Sequence, residues 1–372
     1  MEALILSCGT GGGHNTAGKA VADEMERRGH TVTFMDPYQL VGKNTADHVG
    51  NLYIKLVQFS PRMFGWLYSL AEVYRKFPIH SPVYWVNGKV SAAMQQFLDE
   101  NHFDCIVMTH IFPAHILAHL KNNTPLPKTA LVATDYTCVP FVEEADCDYY
   151  VVPSADLCGE FCSKGIPRQK LLPYGIPVRR EFTAVCGKEE ARARLGLARE
   201  GKYILLSGGS IGVGQITETV SVLEQFLLKN ADCYLLIVCG KNRRLYDRLQ
   251  RKYMGKRQIQ VMESTPQMAD YLKACDLFIT KPGGLSSTEA AVAGVPMIQI
   301  SPIPGCEQHN ADYFLKHGMS VFVRNPKREL LSALQTLQQG DRLHDMAQAQ
   351  SCCVNPSAAA ELCDFMEQAV DL

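Results

Sequence analysis

A histidine closes a run of glycines near the start of the chain, Gly9-Thr10-Gly11-Gly12-Gly13-His14, one residue after the apolar stretch Leu4-Ile5-Leu6-Ser7. Glycine lets a backbone approach a ligand closely, and the helix that follows offers free N–H groups and a positive dipole end. That dipole end disfavours an imidazolium, so His14 is expected to stay neutral and available as a base; the competing role is a loop-capping histidine. Two standard motifs nearly fit. Gly13-x4-Gly18-Lys19 resembles a P-loop, but Ala20 stands where a magnesium-binding Ser or Thr is needed, and Gly18 and Lys19 fall inside the helical pattern. The dinucleotide spacing Gly-x-Gly-x-x-Gly is not met, although Asp36 ends the second strand where a ribose-binding acid could sit. A nicotinamide-dependent dehydrogenase is therefore disfavoured.

Two further loops carry chemistry. Ser207-Gly208-Gly209-Ser210-Ile211-Gly212-Val213-Gly214 separates an apolar strand from a helix and can hold phosphate oxygens on amides and hydroxyls. Thr280-Lys281-Pro282-Gly283-Gly284-Leu285-Ser286-Ser287-Thr288-Glu289 also follows a strand and opens a helix. There Ser286, Ser287 or Thr288 could cap the helix and bind an anion. Glu289 would project from its first turn, stabilised by the dipole or gripping a ribose diol. Pro302-Ile303-Pro304-Gly305-Cys306-Glu307-Gln308-His309-Asn310 ends in side chains suited to sugar hydroxyls.

The elements that must position these loops read as two α/β halves. In the first, strands are expected at Leu4–Ser7, Thr31–Met35, Cys105–Met108, Ala130–Ala133 and Tyr149–Val152, with a helix from about Thr16 to Arg28 that Gly29 stops. After Pro173-Tyr174-Gly175-Ile176-Pro177 and a charged helix over Lys188–Leu195, the pattern restarts. Tyr203–Leu206, Tyr234–Val238, Ile259–Met262, Leu277–Thr280 and Met297–Ile300 read as strands. Short apolar strands between helices indicate parallel sheets covered on both faces. The boundary is placed near 175–180, and a cleft at the carboxyl ends of the strands is where open α/β sheets bind ligands.

Composition narrows the class. Over 372 residues, 47% are apolar and 20% charged, as in an ordinary globular protein, and about 150 residues per domain gives two domains. The 37 basic and 38 acidic side chains nearly cancel, so no nucleic-acid partner held by general charge is expected. No apolar run approaches the roughly 18 residues of a membrane span, and the N-terminus runs straight into a strand with no basic leader. The 14 cysteines are scattered through apolar segments without metal-ligand spacing, which fits reduced thiols in a cytoplasmic protein.

Taken together, the His14 loop, Lys281-Pro282-Gly283-Gly284-Leu285-Ser286 and Pro304-Gly305-Cys306-Glu307-Gln308-His309-Asn310 resemble the motifs of the diacylglycerol glycosyltransferases. These are the processive diacylglycerol glucosyltransferases and monogalactosyldiacylglycerol synthases, with the MurG enzyme a more distant likeness. Ala133-Thr134-Asp135-Tyr136 sits where that family has a Thr-Asp motif. The resemblance spans almost the whole chain. It implies a GT-B fold: residues 1–177 as an acceptor- and membrane-binding Rossmann-like domain, 178–354 as a nucleotide-sugar-binding one, and 355–372 as a helix crossing back to the first. It implies donor contacts from Gly209, Ser210, Lys281, Gly283, Gly284, Ser286 and Ser287, ribose binding by Glu289, and hexose binding by Glu307 and Asn310. Gly11, Gly12 and Gly13 would form an acceptor loop. Departures stand at Cys306, where relatives often have Gln, and at Thr137-Cys138-Val139-Pro140, where they often carry His and Trp.

The segment 53–85 holds both tryptophans, Trp66 and Trp85, with Tyr53, Phe59, Phe64, Tyr68, Tyr74, Phe77 and Tyr84. Between 50 and 90, Lys55, Arg62, Arg75, Lys76 and Lys89 face only Glu72. Aromatic-plus-basic surface suits an anionic lipid layer; helices packed into a core are the alternative. Trp66, Arg75, Lys76 and Trp85 are expected at that surface.

The function expected is an inverting transferase moving a hexose from UDP-glucose or UDP-galactose to diacylglycerol or a glycolipid, peripherally on the inner face of the cell membrane. His14 is the preferred base, with Asp135 orienting or binding the acceptor, and either could take the proton. No metal or other cofactor is expected, because helix N-termini and loop amides can receive the leaving diphosphate. A MurG-like transferase using a polyprenyl-linked sugar and a non-catalytic UDP-sugar- or lipid-binding protein are the rivals.

Overall fold

Each sheet turns its strand order at one point, and that point decides where the loops gather. A computed structural model describes residues 1–9, 12–42, 61–121, 124–210, 212 and 214–370, apart from the side chains of Pro61 and Arg62. Thr10, Gly11, Tyr53, Lys55 and Phe59 therefore lie outside the described residues. The chain forms two compact units. One comprises Met1–Arg179, Pro304–Cys306 and Asn355–Leu372, the other Arg180–Ile303 and Glu307–Val354.

The first unit holds a six-stranded parallel sheet of β1 (Glu2–Leu6), β2 (Thr31–Met35), β3 (Cys105–Met108), β4 (Lys128–Val132), β5 (Tyr149–Val151) and β6 (Leu171–Leu172). The order is β2-β1-β3-β4-β5-β6. The second holds β7 (Lys202–Ser207), β8 (Cys233–Val238), β9 (Ile259–Met262), β10 (Leu277–Thr280), β11 (Met297–Ile300) and β12 (Val321–Val323) in the order β12-β11-β10-β7-β8-β9. Chain order reverses between β1 and β3 in one sheet and between β7 and β10 in the other. Helices diverge to opposite faces at such a point and leave a crevice at the strands' carboxyl ends.

The strands form because they are apolar on both faces. β3, β10 and β11 are buried at all four positions, as expected for a parallel sheet covered on each side. Ten strands fall where hydrophobic runs place them. β6 and β12 were not anticipated: a two-residue strand has no periodicity, and Val321-Phe322-Val323 is a three-residue edge.

The first helix differs from expectation at its start. It runs Gly12–Arg27, so Gly12, Gly13 and His14 form its first turn rather than a loop. The last helix, Ala358–Val370, belongs to the first unit, where Leu362, Cys363 and Met366 join a core with Ala3, Ile5, Val21 and Val107. Burying a side chain such as Leu362 or Met366 is worth about 1.5–3 kcal/mol, so this helix is integral to the unit. Arg28 fastens it, donating from Nη1 to Glu367 at 3.2 Å and from Nη2 to the Ala360 carbonyl at 3.0 Å.

Arg27 and Arg28 both bond Glu24, whose carboxyl the Arg27 hydrogen bond, against the effect of burial, holds at about 2. Glu24 therefore contributes stability that is present above the ordinary carboxylate range and lost as pH falls toward 2. Arg27 is half exposed, so screening reduces the stabilisation to about 1 kcal/mol. We expect Glu24→Gln to lower Tm at pH 7 and the gap from wild type to close between pH 4.5 and 2, measured by thermal melts across that range.

Candidate active site

In the first unit the crevice is built on β1 and β3, which lie in register with Leu6 beside Met108. Just past them, the Thr109 hydroxyl donates to Ser7 Oγ at 3.1 Å, and Ser7 donates to Asn15 Oδ1 at 2.5 Å. Asp36 pins the glycine loop: its Oδ2 accepts from the Gly9 amide at 3.2 Å and its Oδ1 from the Tyr38 amide at 3.0 Å. Both carboxylate oxygens thus hold backbone, so the ribose-binding position suggested for Asp36 is a structural one.

His14 is the chemical centre of this crevice. Its Nδ1 lies 2.8 Å from the Thr109 carbonyl oxygen and 2.9 Å from Thr134 Oγ1. A carbonyl can only accept, so Nδ1 carries the proton and Nε2 keeps its lone pair. Burial pushes the His14 pKa down, opposed by the negative charge of Asp135 and by the Thr109 carbonyl. At neutral pH the ring is therefore uncharged, and a nearby carboxylate would favour the imidazolium if a proton arrived.

The His110 ring stands edge-on to His14, with centroids 4.5 Å apart. His110 caps the helix Ile111–Leu120 by accepting from the Phe112 amide at 3.1 Å, and burial drives its pKa well below the usual value. Thr109 and His110 were missed in the sequence. The available signal was a polar pair directly after the buried strand Cys105–Met108.

A cavity of about 200 Å³ opens beside His14 and Asp135 within this unit. Its walls are largely apolar, including Phe64, Phe112, Val139 and Phe141. Phe141 adopts a left-handed φ of 73°, and its carbonyl is held by His115 Nε2 at 2.9 Å. Strained backbone of this kind persists only where its surroundings over-determine it.

The aromatic segment divides between surface and interior. On the helix Pro61–Tyr74, Trp66 is 64% exposed, and on Pro82–Asn87, Trp85 is 61% exposed. Lys76 is also exposed. Arg75 is not: its side chain is 3% exposed and donates to Glu143 at 2.6 and 2.9 Å and to the Cys138 carbonyl at 2.9 Å. The expectation that Arg75 meets a membrane is corrected; a guanidinium in reach of a carboxylate is drawn into a bidentate pair.

The second unit presents its two loops at the β7–β10 reversal, where Ser207 and Thr280 are in register. Gly209 takes φ 72° and Gly212 φ 64°. A methyl group on Gly212 would lie 2.1 Å from the Cys239 carbonyl oxygen, so only glycine fits. The loop is held from behind by residues unrecognised in the sequence: the Lys241 amide donates to the Ser210 carbonyl at 2.9 Å, and Asn242 Nδ2 to the Gly212 carbonyl at 2.9 Å. Ser301, with a left-handed φ of 51°, accepts from the Gln215 amide at 3.3 Å.

After β10, the helix is Gly284–Val292 and its N-cap is Gly283, without a side-chain capping bond. Ser286, Ser287 and Thr288 are thus inside the helix rather than caps, and Glu289 lies in its second turn, not its first. Ser287 is fully buried and accepts from Gln299 Nε2 at 2.9 Å, while Thr288 donates to the Gly284 carbonyl at 2.7 Å. Ser287 is thereby an internal tie, and Ser286 is the hydroxyl left on the more open side. Lys281 forms an ion pair with Glu307 Oε1, and Glu307 Oε2 accepts from the Ile303 amide at 2.8 Å. Asn310, fully buried, donates to the Pro282 carbonyl at 3.0 Å. Glu307 and Asn310 therefore shape the Lys281–Gly284 loop from below.

Residues 14–178 match the sequence model of monogalactosyldiacylglycerol (MGDG) synthase, and residues 203–363 that of the glycosyltransferase family 28 C-terminal domain. A processive diacylglycerol beta-glucosyltransferase of Bacillus pumilus is 26% identical over 370 residues, covering 98% of this chain and 94% of the relative. Monogalactosyldiacylglycerol synthase 2 of Arabidopsis thaliana is 27% identical over 342 residues, covering 87% of this chain and 71% of the relative. Among solved structures, Acinetobacter baumannii MurG superposes with a TM-score of 0.64 at 16% identity, covering 99% of each chain, which marks the two Rossmann-like units as those of a GT-B fold. With both halves matched to glycosyltransferase models and relatives aligned across most of their length, the chain is a glycosyltransferase, similar along nearly all of its length to the diacylglycerol glycosyltransferases.

Proposed function

We propose that this enzyme moves a hexose from UDP-glucose or UDP-galactose to the free hydroxyl of diacylglycerol or of a glycolipid, with inversion. The observation that carries the reading is the His14 Nδ1 bond to the Thr109 carbonyl, which leaves Nε2 bare beside an apolar cavity. The acceptor oxygen attacks the anomeric carbon from the face opposite UDP, and the bond from that carbon to the diphosphate oxygen breaks with its electron pair. The acceptor proton passes to His14 Nε2, and Asp135 stabilises the imidazolium.

The leaving diphosphate is received by Gly209, Ser210 and the N-terminal turn that starts at Gly283 and Gly284, with Ser286 beside them. Lys281 packs beneath Gly209, its Cε 2.8 Å from where a methyl on that glycine would lie, with its ammonium paired to Glu307. Glu289 is the candidate for the ribose, and no divalent ion is needed for this charge. The acceptor chemistry follows from the likeness to a processive diacylglycerol beta-glucosyltransferase and a monogalactosyldiacylglycerol synthase.

We place the enzyme peripherally on an anionic membrane, at the inner face, through Trp66, Trp85 and their exposed neighbours Leu70, Phe77 and Ile79. Among the described residues no helix is long and apolar enough to cross a bilayer. With Arg75 spent on Glu143, the exposed bases of this surface among the described side chains are Lys76 and Lys89. At about 1 kcal/mol each near such a surface, charge supplies the smaller share and apolar insertion the larger.

The decisive experiment incubates the enzyme with UDP-glucose or UDP-galactose and vesicles holding diacylglycerol, then reads lipids by mass spectrometry. Hexosyl-diacylglycerol of inverted configuration is expected; product only on a polyprenyl-linked sugar, or none, overturns the reading. His14→Ala is expected to lower kcat about 10²-fold or more. Because burial holds the His14 pKa below 6.5, wild-type kcat/KM should stay flat through neutrality and fall only on the acid side, a limb absent in the variant. Activity is expected to survive excess EDTA; a complete, Mn²⁺-reversible loss would show a metal requirement. In vesicle co-sedimentation, Trp66→Ser with Trp85→Ser should release more protein than Lys76→Glu with Lys89→Glu, and salt should weaken pelleting only modestly.

A further inference from the structure

The cavity beside His14 contains one polar group that the proposed chemistry does not use. Tyr68 lies on the helix Pro61–Tyr74 and lines this cavity, and its hydroxyl oxygen is shielded from solvent with no hydrogen-bond partner. Buried tyrosine hydroxyls almost always find a partner, since leaving one unmade sacrifices its hydration for nothing. Burial raises the Tyr68 pKa, with the charges of Glu72 and Asp135 adding to it, so the phenol keeps its proton and is a donor.

The other polar groups of the lining are matched differently. His14 Nδ1 is committed to Thr109 and Thr134, and Asp135 is an acceptor by charge. A ligand seated here among Phe64, Phe112 and Phe141 must therefore bring a neutral acceptor atom on an otherwise apolar body. A glyceryl ester has that combination: its free hydroxyl is the nucleophile, and its carbonyl oxygens are neutral acceptors three bonds from the glycerol carbons.

We infer that the Tyr68 hydroxyl donates a hydrogen bond to an acyl-ester carbonyl of the acceptor lipid, selecting ester-linked over ether-linked glycerolipids and positioning the free hydroxyl for His14. This assignment rests on the reading of the acceptor as a diacylglycerol. It makes Tyr68 a specificity residue that touches substrate without taking part in proton transfer.

The test compares dioctanoylglycerol with its ether analogue dioctylglycerol, which has the same hydroxyl and no carbonyls, using wild type and Tyr68→Phe at saturating UDP-hexose. Wild type is expected to favour the ester about tenfold in kcat/KM, the scale of one neutral hydrogen bond. Tyr68→Phe keeps the ring and should bring the ratio close to one by slowing the ester alone. The ether rate and the KM for UDP-hexose should stay at wild-type values, and this shows that the variant is folded. An ester/ether ratio that is the same in both proteins, or a wild type indifferent to the carbonyls, overturns the assignment while leaving diacylglycerol as acceptor. Transfer by wild type to neither lipid overturns the reading of the acceptor and the assignment with it.

Discussion

The bond from His14 Nδ1 to the Thr109 carbonyl is the constraint on which the first unit's chemistry depends. It joins the start of one helix to the end of a strand that is adjacent in space and 95 residues away in sequence. It can form only because β1 and β3 are neighbours, which in turn follows from the reversal of strand order between them. A backbone carbonyl is an unusually reliable partner, since no side-chain substitution removes it. The tautomer of the His14 ring is thus set by the fold, whereas the tuning of its basicity is left to the depth of burial and to Asp135.

The second unit repeats the topology with different chemistry. Both its loops leave strands at the β7–β10 reversal, and both are braced by polar ties, part-buried at Asn242 and buried at Asn310. Ser320 donates to Gln299 Oε1 at 3.0 Å and Gln299 to Ser287, linking β11 to the helix behind the Lys281 loop and to the residue preceding β12. A buried hydrogen-bond network of this kind favours one loop geometry, whereas an apolar contact would tolerate sliding. Preorganised amides are what a departing diphosphate needs, because dipoles that must reorient at the moment of reaction lose much of their effect.

Much of this was legible in the sequence because the informative features are local. A glycine run between an apolar strand and a helix announces itself, as do buried parallel strands four to six residues long. What escaped was set by tertiary neighbours. Ser287 and Asn310 have side chains that suit phosphate or sugar, and nothing in their surroundings in sequence says that Gln299 and the Pro282 carbonyl claim them. Arg75 sits in a basic, aromatic stretch, yet Glu143 lies 68 residues away and takes it inward. Thr109 and His110 carry no motif of their own; their importance comes from standing at a strand end beside β1. The start of the first helix moved to Gly12 because the glycines that look like a loop are also permitted in a first turn, where the His14 ring is aimed by the helix itself.

The closing helix has a consequence for how the molecule is made. The first unit is interrupted by the second, and its core is finished only when Leu362, Cys363 and Met366 arrive. On a ribosome working at about 5–20 residues per second, the sheet built by residues 1–179 waits roughly 10–40 seconds for that helix. The interrupting unit has all of its own chain first and can complete its sheet during the delay. Synthesis thus matures the later-encoded half before the earlier one, and for that interval the nascent protein holds an unfinished apolar face beside Val21 and Ile5, which makes the wait for this helix the step most exposed to aggregation and to chaperone capture.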